Sequence, residues 1–198
     1  MKKIKIEKSA CTLKPEHIEA GLTEEDPRIR GFWAERTDYT PTPEQVERGL
    51  MDEDAVIVKA FLNRHDVIPT PEQIERGLTD KNPDIRKVWA KSTAYTPTSE
   101  QVERGLTDTD SWVRLAWAQR RDYIASSLQV QRGVRDENPS VVKEWVSRKE
   151  FYPTYKQIQE GLKSEKKFLR DAWEKKLMAM HEELSTMAMD ESLGVYHI

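Results

Sequence analysis

The sequence predicts an all-α protein, a right-handed α-solenoid of two-helix repeats, and three observations lead to this fold class. Residues 14–181 divide without gaps into six units of 28 residues. Every unit carries a glycine at one position and a large aromatic residue twelve positions later. Each unit also contains two short apolar patterns with helical spacing. Self-similarity at a fixed period of this length is typical of stacked repeats.

Two columns define the repeat most sharply. The glycine column contains Gly21, Gly49, Gly77, Gly105, Gly133 and Gly161. The aromatic column contains Trp33, Phe61, Trp89, Trp117, Trp145 and Trp173. All ten prolines fall in only three further columns. Because a pair of helices this short cannot bury its own apolar face, we expect each unit to be stabilised by its neighbours.

The first helix of a unit is predicted from segments such as TPEQVERGL in the second unit. Thr42 can cap the helix, Pro43 suits the first helical position, and Gln45 can complete a capping box. We expect the helix to end near Gly49, and its counterpart in the fourth unit near Gly105, in the left-handed cap conformation that glycine tolerates.

Charged pairs on the first helix are expected to be local. Glu44 with Arg48, and Glu72 with Arg76, are spaced four residues apart in the favourable orientation. Such pairs stabilise an exposed helix by about 0.2–0.5 kcal/mol each. These charges therefore have an explanation that needs no ligand.

The second helix is predicted to begin after a turn whose last polar residue caps it. These candidate caps are Asn82, Asp110 and Asn138. Ile85, Val88 and Trp89 form the amphipathic face of the third unit's second helix. A tyrosine in the following extended segment is expected to pack between units. It is present as Tyr39, Tyr95 and Tyr123.

The terminal segments depart from the repeat, as the ends of a stacked array must. Residues 1–13 contain an alternating Ile-Lys-Ile stretch that we interpret as an N-terminal cap. Residues 14–181 form the predicted solenoid. The last unit loses its turn motif and runs on as one long amphipathic helix, so residues 182–198 are expected to be the end of this capping helix and a tail.

Composition narrows the possible functions. The chain has 32 basic and 35 acidic residues, and a net charge of −3 argues against a general polyanion binder. The single cysteine, Cys11, cannot form an internal disulfide or hold a metal alone. The N-terminus lacks the apolar core of a signal peptide, and no apolar run has the length of a membrane span. We expect a soluble, cytoplasmic protein that does not bind membranes.

The segments TDKNPDIRKVWA and TDTDSWVRLAWA resemble the second helix of HEAT-like repeats, and the whole unit is similar to the leucine-rich-repeat variant. The resemblance covers residues 14–181. It implies a charge ladder in which a turn aspartate pairs with an arginine six residues later, here Asp80 with Arg86 and Asp108 with Arg114. The second and fifth units have valine at the arginine position, so a continuous ladder is not expected.

The same resemblance bears on function. HEAT-like repeats are mainly binding scaffolds, although some are alkylpurine DNA glycosylases that use a basic concave groove. The variant repeats can accompany a cysteine-bound iron–sulfur cluster, for which one cysteine is insufficient. The resemblance therefore favours binding, and a fold alone does not define a function.

No catalytic or cofactor site is predicted. The glycines form no phosphate-binding loop. The four histidines have no metal-ligand spacing, and the carboxylates recur with the repeat as caps and turn residues. We predict no enzyme activity, cofactor or metal.

Trp112 is the first candidate partner-binding residue. The equivalent positions of the other units hold Arg28, Val56, Asp84, Ser140 and Phe168, so the repeat itself requires no tryptophan there. An exposed tryptophan is a typical interface anchor. Alternatively, the side chain fills a gap beside Trp117 or the neighbouring unit.

The second candidate is a basic stripe along the second helices. It consists of Lys59, Lys87, Lys91, Arg114 and Lys143. If these helices line an inner curve, the stripe would face away from the acidic first helices. Alternatively, these side chains are ordinary solvated charges together with a structural ladder.

Together, Trp112 and the basic stripe lead us to predict that the protein is a non-catalytic interaction module. Its predicted partner is a protein with an acidic or mixed surface. One alternative is a nucleic-acid-binding module with a glycosylase-like groove. Another is an inhibitor that blocks a nucleic-acid channel with its acidic face, as phage-type anti-defence proteins do. The sequence leaves the oligomeric state open.

Overall fold

The computed structural model describes residues 13–192, with side chains as far as residue 186. Across this range the regular structure consists of twelve α-helices and no β-strand, which confirms the all-α prediction. The helices belong to two compact units, each of which contains several of the 28-residue repeats. The first unit ends at Tyr95 and the second unit begins at Thr96. From here on, "unit" means one of these two parts and "repeat" means a 28-residue segment. Nearly all of the predicted N-terminal cap, and the final residues 193–198, lie outside the described range.

Both units repeat one packing scheme. The first contains α1 (Pro15–Leu22), α2 (Pro27–Ala34), α3 (Pro43–Leu50), α4 (Ala55–Leu62), α5 (Pro71–Leu78) and α6 (Pro83–Lys91). The second contains α7 (Ser99–Leu106), α8 (Ser111–Gln119), α9 (Ser127–Gly133), α10 (Pro139–Val146), α11 (Tyr155–Leu162) and α12 (Lys167–Ser192). Each odd-numbered helix packs on the even-numbered helix that follows it. Within a unit, consecutive even-numbered helices also pack closely on one another, as in a helical repeat.

Capping boxes begin most of the odd-numbered helices, as predicted. The Thr42 hydroxyl oxygen accepts a hydrogen bond from the Gln45 N–H at 3.3 Å, and Gln45 Oε1 accepts one from the Thr42 N–H at 3.0 Å. The same reciprocal pair recurs at Thr70, Thr98, Ser126 and Thr154. These bonds satisfy donors that a helix N-terminus otherwise leaves without partners.

The predicted caps of the even-numbered helices are also confirmed. Side-chain oxygens of Asn82, Asp110 and Asn138 each accept from the backbone N–H two residues later, at 2.8–2.9 Å. Because these contacts span only two residues, the local sequence specifies where each helix starts.

The core of each unit is built around the aromatic column. Trp89, Trp117 and Trp145 are fully buried. The tyrosine that follows binds back to this core, because the Tyr39 hydroxyl donates to the Trp33 carbonyl at 2.8 Å and the Tyr123 hydroxyl donates to the Trp117 carbonyl at 3.0 Å.

The glycine column has a different role from the predicted one. Gly105 lies inside α7, and Thr107 occupies the C-cap with φ of −113°, so the predicted left-handed glycine cap is wrong. A Cβ atom on Gly105 would overlap the indole ring of Trp117. The equivalent overlap, with Phe61, exists at Gly49. Glycine is needed because the aromatic ring packs directly on the helix backbone.

A buried arginine column, which the sequence pattern did not predict, joins successive repeats inside each compact unit. Arg64 donates from Nη1 to the Ala34 carbonyl at 3.2 Å and from Nη2 to the Tyr39 carbonyl at 2.8 Å. Asp66 balances its charge with a two-point ion pair at 2.8 and 2.9 Å. Arg148 makes the corresponding contacts in the second unit. A guanidinium suits this position because its several donors can satisfy several carbonyls at once.

Among the described helices, none combines the length and apolar composition needed to cross a membrane.

Candidate interaction surfaces

Many surface charges join one repeat to the next, and this limits which are free for a ligand. Glu19 accepts a hydrogen bond from Gln45 Nε2 at 2.9 Å and forms an ion pair with Arg48 at 2.7 Å. In the same way, Glu47 accepts a hydrogen bond from Gln73 Nε2 at 2.6 Å and forms an ion pair with Arg76 at 2.5 Å. We call this three-residue arrangement the interhelix clamp.

The clamp corrects the predicted local ion pairs. Arg48 pairs with Glu19 of the preceding repeat rather than with Glu44, and Arg76 pairs with Glu47 rather than with Glu72. The hydrogen bond from Gln45 is the main reason why the pKa of Glu19 lies below its ordinary value of 4.5. The glutamine fixes the carboxylate beside the arginine, so the interaction between repeats replaces the weak pair along one helix.

The aspartate–arginine ladder also connects repeats. Arg114 forms a two-point ion pair with Asp136 of the following repeat at 2.7 and 2.9 Å. Towards its own turn, it donates to the backbone carbonyl of Asp108 at 2.9 Å. Arg30 pairs with Asp52 in the same way. The predicted side-chain pair between Asp108 and Arg114 is therefore wrong.

Arg114 consequently has little surface to offer a partner, because only 9% of the residue is exposed. Its guanidinium is engaged by Asp136, Glu137 and two turn carbonyls. Removing it would disturb the packing of repeats before it affected a ligand.

The first unit holds three of the predicted lysines. Lys59 and Lys91 are exposed, whereas Lys87 is partly exposed and forms an ion pair with Asp84. Lys59 and Lys87 line a 490 Å³ depression between α4 and α6 together with Glu53, Asp54 and Asp84. This face is therefore mixed in charge rather than basic.

The second unit holds Trp112 and Lys143. Trp112 lies in the first turn of α8 and is 56% exposed, while Trp117 of the same helix is fully buried. This exposure argues against Trp112 as a filler of the core. Phe168, at the equivalent position on α12, is 40% exposed. The Lys143 ammonium group lies 6.0 Å from the centre of its ring.

The structure brings these residues together as follows. In the second unit, α8 packs on α10 and α10 packs on α12, so Trp112, Lys143 and Phe168 are exposed residues on three adjacent helices. We call this the α8–α12 face. Lys59 and Lys87 belong to the separate depression of the first unit. Exposed aromatic side chains, with a cation beside Phe168, are typical of a protein interface.

The odd-numbered helices of the second unit, and the segment before α11, carry a further exposed apolar group that was not predicted from the sequence. Leu128, Tyr152 and Tyr155 are 64–74% exposed. Two of these residues depart from their repeat columns and could have been selected from the sequence on that ground. Leucine at 128 replaces the glutamate of the first four repeats, and tyrosine at 155 replaces proline or serine.

Among the described side chains, no group of three or more histidine, cysteine or acidic residues lies close enough together to hold a metal ion. No model of a known protein family matches the chain, and a search of curated protein sequences found none similar to it. The resemblance to HEAT-like repeats therefore rests on the repeat pattern alone.

Proposed function

We propose that the chain is a non-catalytic interaction module whose partner is a protein. In this proposal its 28-residue units form a HEAT-like, right-handed solenoid of six repeats. The proposed setting is the cytoplasm, which a single cysteine favours. The observation that carries the proposal is the exposed Trp112 on the α8–α12 face.

The energetics of this face support a protein partner. Tryptophan is among the residues most enriched at binding hot spots, where a buried indole ring contributes both apolar area and a hydrogen-bond donor. Trp112 is exposed, and the equivalent position of every other repeat holds a smaller or polar residue or, in the last repeat, Phe168. The repeat fold therefore does not require a tryptophan at this position. Lys143 beside Phe168 adds a cation that suits a partner with acidic or mixed charge.

Nucleic acid is the second candidate, and the charge distribution supports it less. Lys87 is paired with Asp84, and Arg114 is engaged by Asp136. The depression that contains Lys59 and Lys87 also contains three carboxylates. A phosphate backbone is bound chiefly through cations that remain free to replace its counterions.

A channel-blocking inhibitor with an acidic face is supported less for a similar reason. Glu19, Glu47 and Glu103 accept hydrogen bonds from the following repeat. Their charges are thus partly neutralised within the protein.

The test is affinity capture from cells that naturally express the protein, with and without nuclease treatment, followed by binding measurements on the purified partner. We expect a nuclease-resistant protein partner whose Kd rises by about 30-fold or more in Trp112→Ala, as for a hot spot worth about 2 kcal/mol. Gln119→Ala is the matched control, because Gln119 is an exposed residue on the same helix. Thermal unfolding verifies that both variants fold.

Two results would reject this proposal. Capture that disappears after nuclease treatment would indicate a nucleic-acid ligand. A Trp112→Ala variant that binds the partner as tightly as Gln119→Ala would exclude the α8–α12 face.

A further inference from the structure

The interhelix clamp is present between α7 and α9 but is altered between α9 and α11. In the intact clamp, Glu103 accepts a hydrogen bond from Gln129 Nε2 at 2.9 Å and forms an ion pair with Arg132 at 2.6 Å. At the next step, Gln131 stands at the glutamate position and Glu160 at the arginine position. In the part of the chain that the structure describes, no side-chain hydrogen bond or ion pair joins α9 to α11.

Gln157 makes only one of the two contacts that the equivalent glutamines make in the clamped repeats. Its Oε1 accepts from the Thr154 N–H at 2.8 Å, which completes the capping box of α11. In the clamps, the Nε2 group of the equivalent glutamine donates to a carboxylate of the preceding repeat. Gln131 supplies no carboxylate, so this donor group of Gln157 has no acceptor among the described residues.

A groove of 530 Å³ lies between the two helices at this point. Gln131, Arg135, Tyr152, Lys156 and Gln157 contribute to its lining. Arg135 is exposed, and its guanidinium forms neither a hydrogen bond nor an ion pair within the described range. A smaller depression of 330 Å³ shares Arg135, Gln157 and Glu160 with the groove.

In the described part of the chain, the charges around the groove leave one cation, Arg135, available to an anionic ligand. Glu150 is paired with Arg148 at 3.1 Å, and Glu160 lies 3.9 Å from Lys156. These two carboxylates are thus offset by cations, while Arg135 has no ion-pair partner among the described side chains. Unlike the first-helix face of the earlier repeats, this region has leucine, lysine and glutamine where those repeats have glutamate.

We propose that the groove between α9 and α11 binds an extended acidic segment of a partner protein. A glutamate or aspartate of that segment takes the place that Glu103 has in the preceding clamp, accepting from Gln157 Nε2 and Arg135. Exposed Leu128, Tyr152 and Tyr155 contact apolar residues that flank the acidic one. Hydrogen bonds from a guanidinium to a carboxylate are charge-assisted, and the aromatic side chains add apolar contact area.

This surface is separate from the α8–α12 face. It is formed by odd-numbered helices and the segments before them, whereas Trp112 lies on an even-numbered helix. The inference therefore goes beyond the proposed function and can fail without affecting it.

Peptide binding to the full-length protein tests the inference directly. The probe is an array of decapeptides with glutamate at the centre and every residue type at the two flanking positions, matched by the same array with glutamine at the centre. We expect glutamate-centred peptides with apolar flanks to bind at least tenfold more tightly than their glutamine counterparts. Fluorescence anisotropy of the best peptide in solution then provides the Kd.

The most specific variant is Gln131→Glu, because it restores the internal carboxylate of the clamp. We expect it to weaken peptide binding at least tenfold while the thermal midpoint stays equal to that of the wild type or rises. Arg135→Ala should weaken binding by a similar factor. Gln159→Glu is the matched control and should leave the Kd unchanged, because Gln159 is an exposed residue of α11 that does not line the groove.

Three outcomes would overturn the inference. The first is no preference for glutamate over glutamine, including no binding to either array. The second is unchanged peptide binding in Gln131→Glu. The third is displacement of the peptide by a labelled single-stranded oligonucleotide that binds more tightly, which would make the groove a nucleic-acid site.

Discussion

At the scale of single residues, side chains that meet between repeats change together along the chain. Arg64 lies 4.8 Å above the Tyr39 ring, and Arg148 lies 4.9 Å above the Tyr123 ring. Where the tyrosine position holds Val67, the arginine position holds the buried Ser92. Where it holds Phe151, a lysine, Lys176, lies 5.8 Å above the ring. A cation is thus present where an aromatic face can stabilise it.

The glycine column supplies the prediction at this scale. We expect Gly105→Ala to destabilise the protein by about 1–3 kcal/mol or more, because the new Cβ overlaps the buried Trp117 ring. Gly31→Ala is the control, since this glycine lies inside α2 with open space where a Cβ would go. It should stabilise by about 0.5–1 kcal/mol through helix propensity. Chemical unfolding measures both, and equal effects would disprove the packing role.

At the scale of helices, the interhelix clamps couple repeats through ionised carboxylates. The pKa values of Glu47 and Glu103 lie below the ordinary value of 4.5, mainly because Gln73 and Gln129 donate hydrogen bonds to them. Asp66 has a lowered pKa beside Arg64 for the same kind of reason. In each case folding favours the charged form.

Stability should therefore depend on pH in a defined direction. A carboxylate whose pKa is lower in the folded state stabilises the fold fully above its unfolded pKa, and this contribution is lost as pH falls through the folded value. We expect the urea midpoint to be steady near neutrality and to decrease as pH falls below 4.5. Glu103→Gln should show a weaker dependence. A midpoint that is the same at pH 6 and pH 3 would contradict this prediction.

At the scale of the whole molecule, charge is abundant but largely balanced. The chain contains 32 basic and 35 acidic residues. Several of the basic side chains, including Arg30, Arg64, Arg114 and Arg148, are held in contacts between repeats. The charge content therefore serves the stacking of repeats before it serves a ligand.

This balance predicts weak binding to duplex nucleic acid. We expect no tight complex of the purified chain with labelled duplex DNA at about 0.15 M salt, and a steep rise in affinity only at low salt. Fluorescence anisotropy across a salt series measures both. Tight binding at about 0.15 M salt that is lost in a Lys59→Ala, Lys87→Ala double variant would instead favour the nucleic-acid alternative.

The sequence by itself determined the helical class, the start of most helices and the repeating core. These features could be predicted because they depend on short-range chemistry. A capping box joins residues three apart, as in Thr42 and Gln45, and the apolar face of a helix follows from its period. Trp112 could also be selected, because it departs from its column without a structural need.

Only the tertiary structure decided which charges meet and which glycines touch a ring. Arg48 pairs with Glu19 rather than with Glu44. Glu19 belongs to the preceding repeat and is already oriented by Gln45, whereas an ion pair along one exposed helix is weak. Likewise, Gly105 is required by Trp117, twelve residues away, and not by its own backbone. The groove beside Gln131 follows the same rule. The Nε2 group of Gln157 lacks an acceptor among the described residues because Gln131 stands where the clamp has a glutamate, and the clamp exists only once neighbouring helices are packed side by side.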